Sequence, residues 1–123
     1  MRAVNTLLLN GHELGHTPQS RRETWSVATR PTSVNGLGAD PSQANTLLEM
    51  LSASIEFWDD IPGISDEWRR LVISLDVRGL QVHDANHAAA ALCHGATQVL
   101  TLNVPDFIRF EKFGLRPMSP QSI

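Results

Sequence analysis

The 123-residue chain has one cysteine, no tyrosine and no long apolar run. One cysteine, Cys93, excludes a disulfide or a cysteine-based zinc site within a single chain, and it fits a reducing compartment. No stretch approaches the roughly 20 apolar residues that a membrane-spanning helix needs. The N-terminal residues also lack the apolar core and cleavage site of a signal peptide. The sequence therefore predicts a cytoplasmic protein without a membrane anchor.

Positive charge is scarce as well. The chain has 10 lysine and arginine residues against 13 aspartate and glutamate residues, a formal net charge of −3. No overall positive field attracts nucleic acid, so binding of a polyanion has to come from a local patch or a metal ion. The 41% hydrophobic and 19% charged shares are typical of a folded chain. We predict a single domain over residues 1–123, with a short tail at 119–123.

Helical patterns alternate with short strand patterns along the chain. Helices are predicted over residues 3–9, 18–29, 41–53 and 84–94, with a further helix capped by Ser65 and a short helical turn at 106–111. Strands are predicted over residues 12–17, 55–58, 97–102 and 113–117. Asp40 followed by Pro41 has the pattern of an N-cap and a first helical residue. The alternation predicts an α/β fold with a mainly parallel sheet.

Two acidic residues stand where functional groups gather in such a sheet, outside the carboxyl ends of the strands. Asp84 opens a helix, and Asp106 follows the strand 97–102, with Asn103 at the last turn of that strand. Glu23, in an earlier helix, is a third candidate for the same edge. Carboxylates held close together repel unless a cation neutralises them, and Mg²⁺ or Mn²⁺ prefers such oxygen ligands. Spacing alone leaves open that the two aspartates are helix caps and that Glu23 is a solvated helix residue.

The histidines offer a competing interpretation. His83 and His87 are four residues apart, which is a spacing compatible with zinc. The glutamate of the metalloprotease arrangement is absent, because the residue after His83 is Asp84. A histidine-zinc enzyme would need a further ligand that converges on the same point. Cys93 lies inside an alanine-rich helix and is predicted to be a small buried hydrophobe.

The second half of the chain resembles a known family. Val82-His83-Asp84-Ala85, the alanine-rich helix that Gly95 closes, and the segment Leu100-Thr101-Leu102-Asn103-Val104-Pro105-Asp106-Phe107 closely resemble the C-terminal half of PIN domains. The nearest group is the VapC-type toxins of bacterial toxin–antitoxin pairs. Residues 18–31 resemble the stretch that bears the second acidic residue of that family. The resemblance covers about residues 3–118.

This resemblance implies a three-layer PIN-like α/β fold and cleavage of RNA by water that a Mg²⁺ or Mn²⁺ ion activates. Glu23, Asp84 and Asp106 match the catalytic and metal-binding acids of the family. Asn103 and Thr101 match the neighbouring polar residues. Toxins of this group usually pair with an antitoxin and often dimerise, so an antitoxin protein and a homodimer are the expected partners besides the RNA substrate.

The chain departs from the family pattern at its beginning. The family opens with a central strand that carries its first aspartate, whereas no aspartate precedes Asp40 here. Gly15 and His16 also stand where apolar residues are expected in the next strand. We therefore expect the first strand of the family to be absent and the nuclease activity to be impaired. The alternative is a degenerate, non-catalytic PIN module that acts by binding another protein.

Overall fold

The computed structural model describes residues 2–123, which form two compact units. One unit comprises Asp60–Ile123 with the described residues up to Gly11, and the other comprises His12–Asp59. No helix within residues 2–123 is long and apolar enough to cross a membrane.

The described chain contains six α-helices and four short strands. The α-helices are α1 (Arg2–Leu9), α2 (Pro18–Thr29), α3 (Pro41–Ser54), α4 (Ile64–Ser74), α5 (Val82–Cys93) and α6 (Val104–Phe107). The strands are β1 (Gly15–His16), β2 (Glu56–Phe57), β3 (Gln98–Leu100) and β4 (Arg116–Met118). Short 3₁₀ helices occur at Thr32–Val34, Gly79–Gln81, Ile108–Phe113 and Pro120–Ser122. The predicted mixture of helices with short parallel strands is confirmed.

The strands pair in two separate parallel sheets of two strands each. In the first, β1 pairs with β2 so that His16 lies opposite Phe57. In the second, β3 pairs with β4 so that Val99 lies opposite Pro117. Each pair is short, because Gly15 weakens β1 and Pro117 has no N–H to donate from β4. The parallel direction agrees with the prediction, whereas the pairing within residues 2–123 gives two small sheets instead of one.

In the unit His12–Asp59, local hydrogen bonds define both helices. Thr17 caps α2, and its side chain accepts from the Ser20 N–H while the Ser20 hydroxyl accepts from the Thr17 N–H. Asp40 caps α3 in the same reciprocal way with Gln43. This arrangement satisfies N–H groups that a helix start otherwise leaves without partners. The prediction of Asp40 as the N-cap of this helix is confirmed.

Hydrogen bonds attach the segment 31–39 to the end of α2. Three of its N–H groups donate to carbonyls in the last turn and at the C-cap of that helix: Leu37 to Val27 at 3.0 Å, Ala39 to Ala28 at 2.8 Å and Gly38 to the C-cap Arg30 at 2.8 Å. These bonds satisfy carbonyl groups that have no partner inside the helix. Gly36 approaches the Arg30 backbone so closely that a Cβ atom would collide with it. The loop therefore has one tightly defined path.

The other unit has a continuous apolar core between α4, α5 and the C-terminal segment. Its buried residues are Ile64, Leu71, Ala85, Ala88, Ala89, Ala90, Phe107, Phe110 and Leu115. Helix α4 lies along α5, whose buried positions are all alanines. Because alanine side chains are small, the two helix backbones approach each other closely.

Several sequence-based boundaries in this unit were wrong. Ser65 does not cap α4, because Gly63, with φ of 101°, is the N-cap and the helix begins at Ile64. The strand predicted over 97–102 is limited to Gln98–Leu100. The helical turn predicted at 106–111 begins at Val104 and extends to Phe113, which displaces the last strand to Arg116–Met118.

Candidate functional site

Asp84 lies in the first turn of α5 and is half-buried. The helix begins two residues earlier, at Val82, and its N-cap is Gln81, which makes no side-chain cap hydrogen bond. The prediction that Asp84 opens this helix, and its alternative as a helix cap, were therefore wrong. The reason is that the 3₁₀ helix Gly79–Gln81 continues directly into α5 and supplies its start. A carboxylate in the first turn is still stabilised by the positive end of the helix dipole.

The backbone around Asp84 is fixed by packing from α4. The indole Nε1 of Trp68 donates a hydrogen bond of 2.9 Å to the carbonyl oxygen of Val82. On the other side of Asp84 in the sequence, Ala85 is completely inaccessible to solvent. The acidic residue therefore projects from a helical turn that is anchored both before and after it.

Asp106 lies in the first turn of α6 and is also half-buried. Thr101 and Asn103, the two polar residues predicted as its neighbours, form the turn that precedes Asp106. The Thr101 hydroxyl accepts a hydrogen bond of 3.0 Å from the Asn103 N–H, and the Asn103 carbonyl accepts one of 3.0 Å from the Asp106 N–H. Phe107, directly after Asp106, is buried in the core. Thr101 and Asn103 thus shape the turn that presents Asp106, which lies inside the helix and does not cap it.

The segments that carry Asp84 and Asp106 are connected by helix packing and by one side-chain hydrogen bond. Helices α5 and α6 pack against each other. In addition, the guanidinium of Arg109 donates a hydrogen bond of 2.8 Å to the side-chain oxygen of Gln81. This bond connects the N-cap of α5 with the 3₁₀ helix that follows α6. Neither residue was singled out from the sequence, because the two are 28 positions apart and belong to no local motif.

Glu23 is an exposed residue of α2 and belongs to the unit His12–Asp59. Asp84 and Asp106 belong to the unit that contains Asp60–Ile123. The convergence of all three carboxylates on one pocket stays a prediction.

Within residues 2–123, no group of three or more histidine, cysteine, aspartate or glutamate side chains is placed to hold a metal ion. This applies equally to the carboxylate set and to the histidine alternative. His83 is exposed in the first turn of α5, and His87 is half-buried one turn later. Both the Mg²⁺ and the zinc interpretation therefore remain predictions.

Cys93, the last residue of α5, has a free thiol that is half-buried against the apolar core. Burial, and after it the negative charge of Glu67, raise the pKa of this thiol. A thiol with a raised pKa stays protonated at neutral pH, and the protonated form is a poor nucleophile. The predicted apolar role is supported by this position, although Cys93 is only partly buried.

No protein-family model matches the chain, and no curated protein matches it by sequence. Among solved structures, the chain is similar to a chain of VapBC-1 from nontypeable Haemophilus influenzae, determined at 2.2 Å resolution. The TM-score is 0.71 at 16% sequence identity, and the match covers 98% of this chain and 87% of that chain. At this identity the likeness establishes a shared fold. The resemblance to VapC-type PIN proteins is thereby confirmed at the level of the fold.

Proposed function

We propose that the chain is a three-layer PIN-type endoribonuclease of a toxin–antitoxin pair, which cleaves RNA phosphodiesters with Mg²⁺ or Mn²⁺ at the impaired level expected from its sequence. One observation carries the proposal. Asp84 and Asp106 each lie in the first turn of a helix, and these two helices pack together in a chain that shares the fold of VapBC-1. Two half-buried carboxylates on the neighbouring helices α5 and α6 suit a hard cation, which prefers oxygen ligands.

The chemistry of these donors suits magnesium. Mg²⁺ keeps several of its own waters and is commonly bound by one or two protein carboxylates together with substrate phosphates. Asp84 and Asp106 would hold the ion, with Glu23 as the third acid that the family resemblance assigns. When bound, the ion supplies an activated water and stabilises the charge that develops on the phosphodiester.

The remaining residues of the site position these acids. Trp68 fixes the first turn of α5 through its hydrogen bond to Val82. Thr101 and Asn103 hold the turn before α6. Because a misplacement of about 1 Å can lower a rate about 100-fold, such supports contribute to activity without touching the substrate.

The proposed partners follow from the same class of protein. RNA is the substrate, and an antitoxin protein is the binding partner that the similarity to VapBC-1 supports. A homodimer and a cytoplasmic location belong to the same proposal.

An RNA cleavage assay with Mg²⁺ or Mn²⁺ tests the proposal, with a chelator as the first control. The variants Asp84→Asn and Asp106→Asn keep the side-chain shape but remove one negative charge each, and both should abolish chelator-sensitive cleavage. The matched control is Asp76→Asn, since Asp76 is exposed and forms only a surface ion pair with Arg78. Asp76 has a φ of 50°, a conformation that asparagine tolerates well. This control should cleave like the parent chain.

Mn²⁺ binding, measured by the paramagnetic signal of the free ion, separates binding from catalysis. Weaker Mn²⁺ binding in both site variants, with unchanged binding in Asp76→Asn, supports the assignment of the two ligands. Cleavage that persists in Asp84→Asn and Asp106→Asn would contradict it. A parent chain that binds no Mn²⁺ and cleaves no RNA would overturn the nuclease proposal in favour of the non-catalytic protein-binding module.

A further inference from the structure

His16 is the one polar or charged residue that is buried among residues 2–123, with 9% of its surface exposed. It lies in β1, where its carbonyl accepts a hydrogen bond of 2.7 Å from the Trp58 N–H. Its side-chain Nε2 is sealed from solvent and has no hydrogen-bond partner within the described chain. A buried polar atom without a partner costs free energy, and this one belongs to the last residue of a strand in a two-stranded sheet.

The imidazole of His16 lies beside an aromatic ring and a permanent cation. Its ring meets the Phe57 ring of β2 edge-on, with 5.4 Å between the centroids. The guanidinium of Arg21, on α2, lies 4.8 Å from the centroid of the same Phe57 ring. His16 also directly precedes Thr17, the N-cap of α2, so it stands at the positive end of that helix dipole.

Protonation of His16 is opposed by its burial, by the charge of Arg21 and by the positive end of α2. The imidazolium would carry a buried N–H at Nε2 without an acceptor, close to the positive charge of Arg21 and to the helix N-terminus. The ionisable residue of β2 is Glu56, which pairs with Gly15. Because successive side chains alternate between the faces of a strand, Glu56 points away from the face that His16 and Phe57 share.

We propose that His16 makes the unit His12–Asp59 a pH-sensitive element, in which protonation in mildly acidic solution opens the pairing of β1 with β2. This device is independent of the proposed nuclease activity. It needs only the buried imidazole, its missing hydrogen-bond partner and the two positive neighbours.

The direction of the pH dependence follows from the pKa of His16. Burial, and after it the charge of Arg21, lower this pKa in the folded chain. The unfolded chain therefore binds a proton more readily, with a pKa of about 6.5. The stabilising effect of the neutral imidazole is fully present above about pH 6.5 and is lost as the pH falls toward the lower pKa of the folded state.

Two backbone amides report on the opening. The Glu56 N–H donates to the Leu14 carbonyl at 2.9 Å, and the Trp58 N–H donates to the His16 carbonyl. Both bonds break when β1 leaves β2. The Thr101 N–H, which donates to the Met118 carbonyl at 2.9 Å in the other sheet, serves as the internal reference.

Amide hydrogen exchange of the full chain between pH 7.5 and 5.5, corrected for the intrinsic exchange rate, tests the proposal. Protection at Glu56 and Trp58 should fall with decreasing pH, by up to about tenfold per pH unit for one linked proton. Protection at Thr101 should change much less. In His16→Gln the pH dependence at both reporters should disappear, whereas the exposed control His12→Gln should retain it.

An NMR titration of the His16 ring in the parent chain keeps the test valid if His16→Gln does not fold. A ring that titrates below the ordinary histidine pKa of about 6.5, together with the loss of protection at the reporters, supports the proposal. A His16 ring that titrates at or above about 6.5 would overturn it. Protection at Glu56 and Trp58 that does not change between pH 7.5 and 5.5 would overturn it as well.

Discussion

The two units of the chain are stabilised in different ways. The unit that contains α4 and α5 buries large apolar side chains completely, among them Leu71, Phe110 and Leu115. In the unit His12–Asp59, the buried residues are two alanines, Ala28 and Ala44, together with His16. The first unit is therefore held by apolar packing, whereas the second depends on hydrogen bonds between residues that are close in sequence.

The difference has energetic consequences. Burial of a large apolar side chain contributes about 1.5–3 kcal/mol, whereas one intramolecular hydrogen bond contributes about 1 kcal/mol net. Capping boxes and loop-to-helix bonds fix the local path of the chain but leave the unit His12–Asp59 with little buried area. Regions with few buried apolar contacts open at a lower free energy than the core. We therefore expect amides in this unit to exchange before those of α4 and α5.

Removal of a large core side chain should have the largest effect. Leu71→Ala should lower the free energy of unfolding by about 2–5 kcal/mol, because Leu71 of α4 is fully buried in the apolar core. Ile73→Ala on the same helix is the control, since Ile73 is 75% exposed and should change stability by less than about 0.5 kcal/mol. Denaturant unfolding measures both. Equal losses in the two variants would contradict the assignment of the core to this face of α4.

Gly36→Ala should have an intermediate effect, in the other unit. The added Cβ would collide with the Arg30 backbone, so the loop has to move away from the end of α2, at a cost of about 1–3 kcal/mol. Hydrogen exchange at Leu37 and Ala39, whose N–H groups donate to α2, measures the release of the loop. Ser33→Ala, at an exposed position of the same loop, should leave that exchange unchanged. Unchanged exchange in Gly36→Ala would show that the loop is not tightly held.

Loss of a helix cap should have the smallest of these effects. Asp40→Ala removes the acceptor for the Gln43 N–H and should destabilise the chain by about 1 kcal/mol. Asp40→Asn preserves a good N-cap and should recover most of this loss. Thermal or denaturant unfolding of the two variants gives the comparison. A loss in Asp40→Asn as large as in Asp40→Ala would indicate that the charge, and not the cap, is what matters.

Signals that lie within a few residues of each other predicted much of the fold. Asp40 followed by Pro41 marked the start of α3 correctly, because an N-cap and its acceptor site are neighbours in the chain. The start of α5 was misplaced, since it depends on a preceding 3₁₀ helix and on the hydrogen bond from Trp68. The strand limits were misplaced because the partner strand decides where a ladder ends, and here each strand has two or three residues.

The residues of the candidate site also fall into those that local sequence can indicate and those that only the folded chain shows. Asp84 and Asp106 were predicted as site residues from local sequence because each lies near a helix start, with Thr101 and Asn103 close to Asp106, and this assignment stays a prediction. The Gln81–Arg109 hydrogen bond was not predicted, because it joins two distant segments. For His16 the sequence indicated an unexpected residue in a strand, but the orphaned Nε2 and the nearby Arg21 emerge only from the folded chain.

The alanine face of α5 restricts which sequences this region can accept. Ala85, Ala88 and Ala89 have no solvent-accessible surface, so a methyl group is the largest side chain that these positions hold without displacement of α4. A bulkier residue at any of the three would lift α5 away from α4. Asp84 directly precedes Ala85 in α5, so its carboxylate would move together with the helix. The location of the acidic group is thus set by the volume of its neighbours, and conservative changes of size there would alter the site without touching any polar atom.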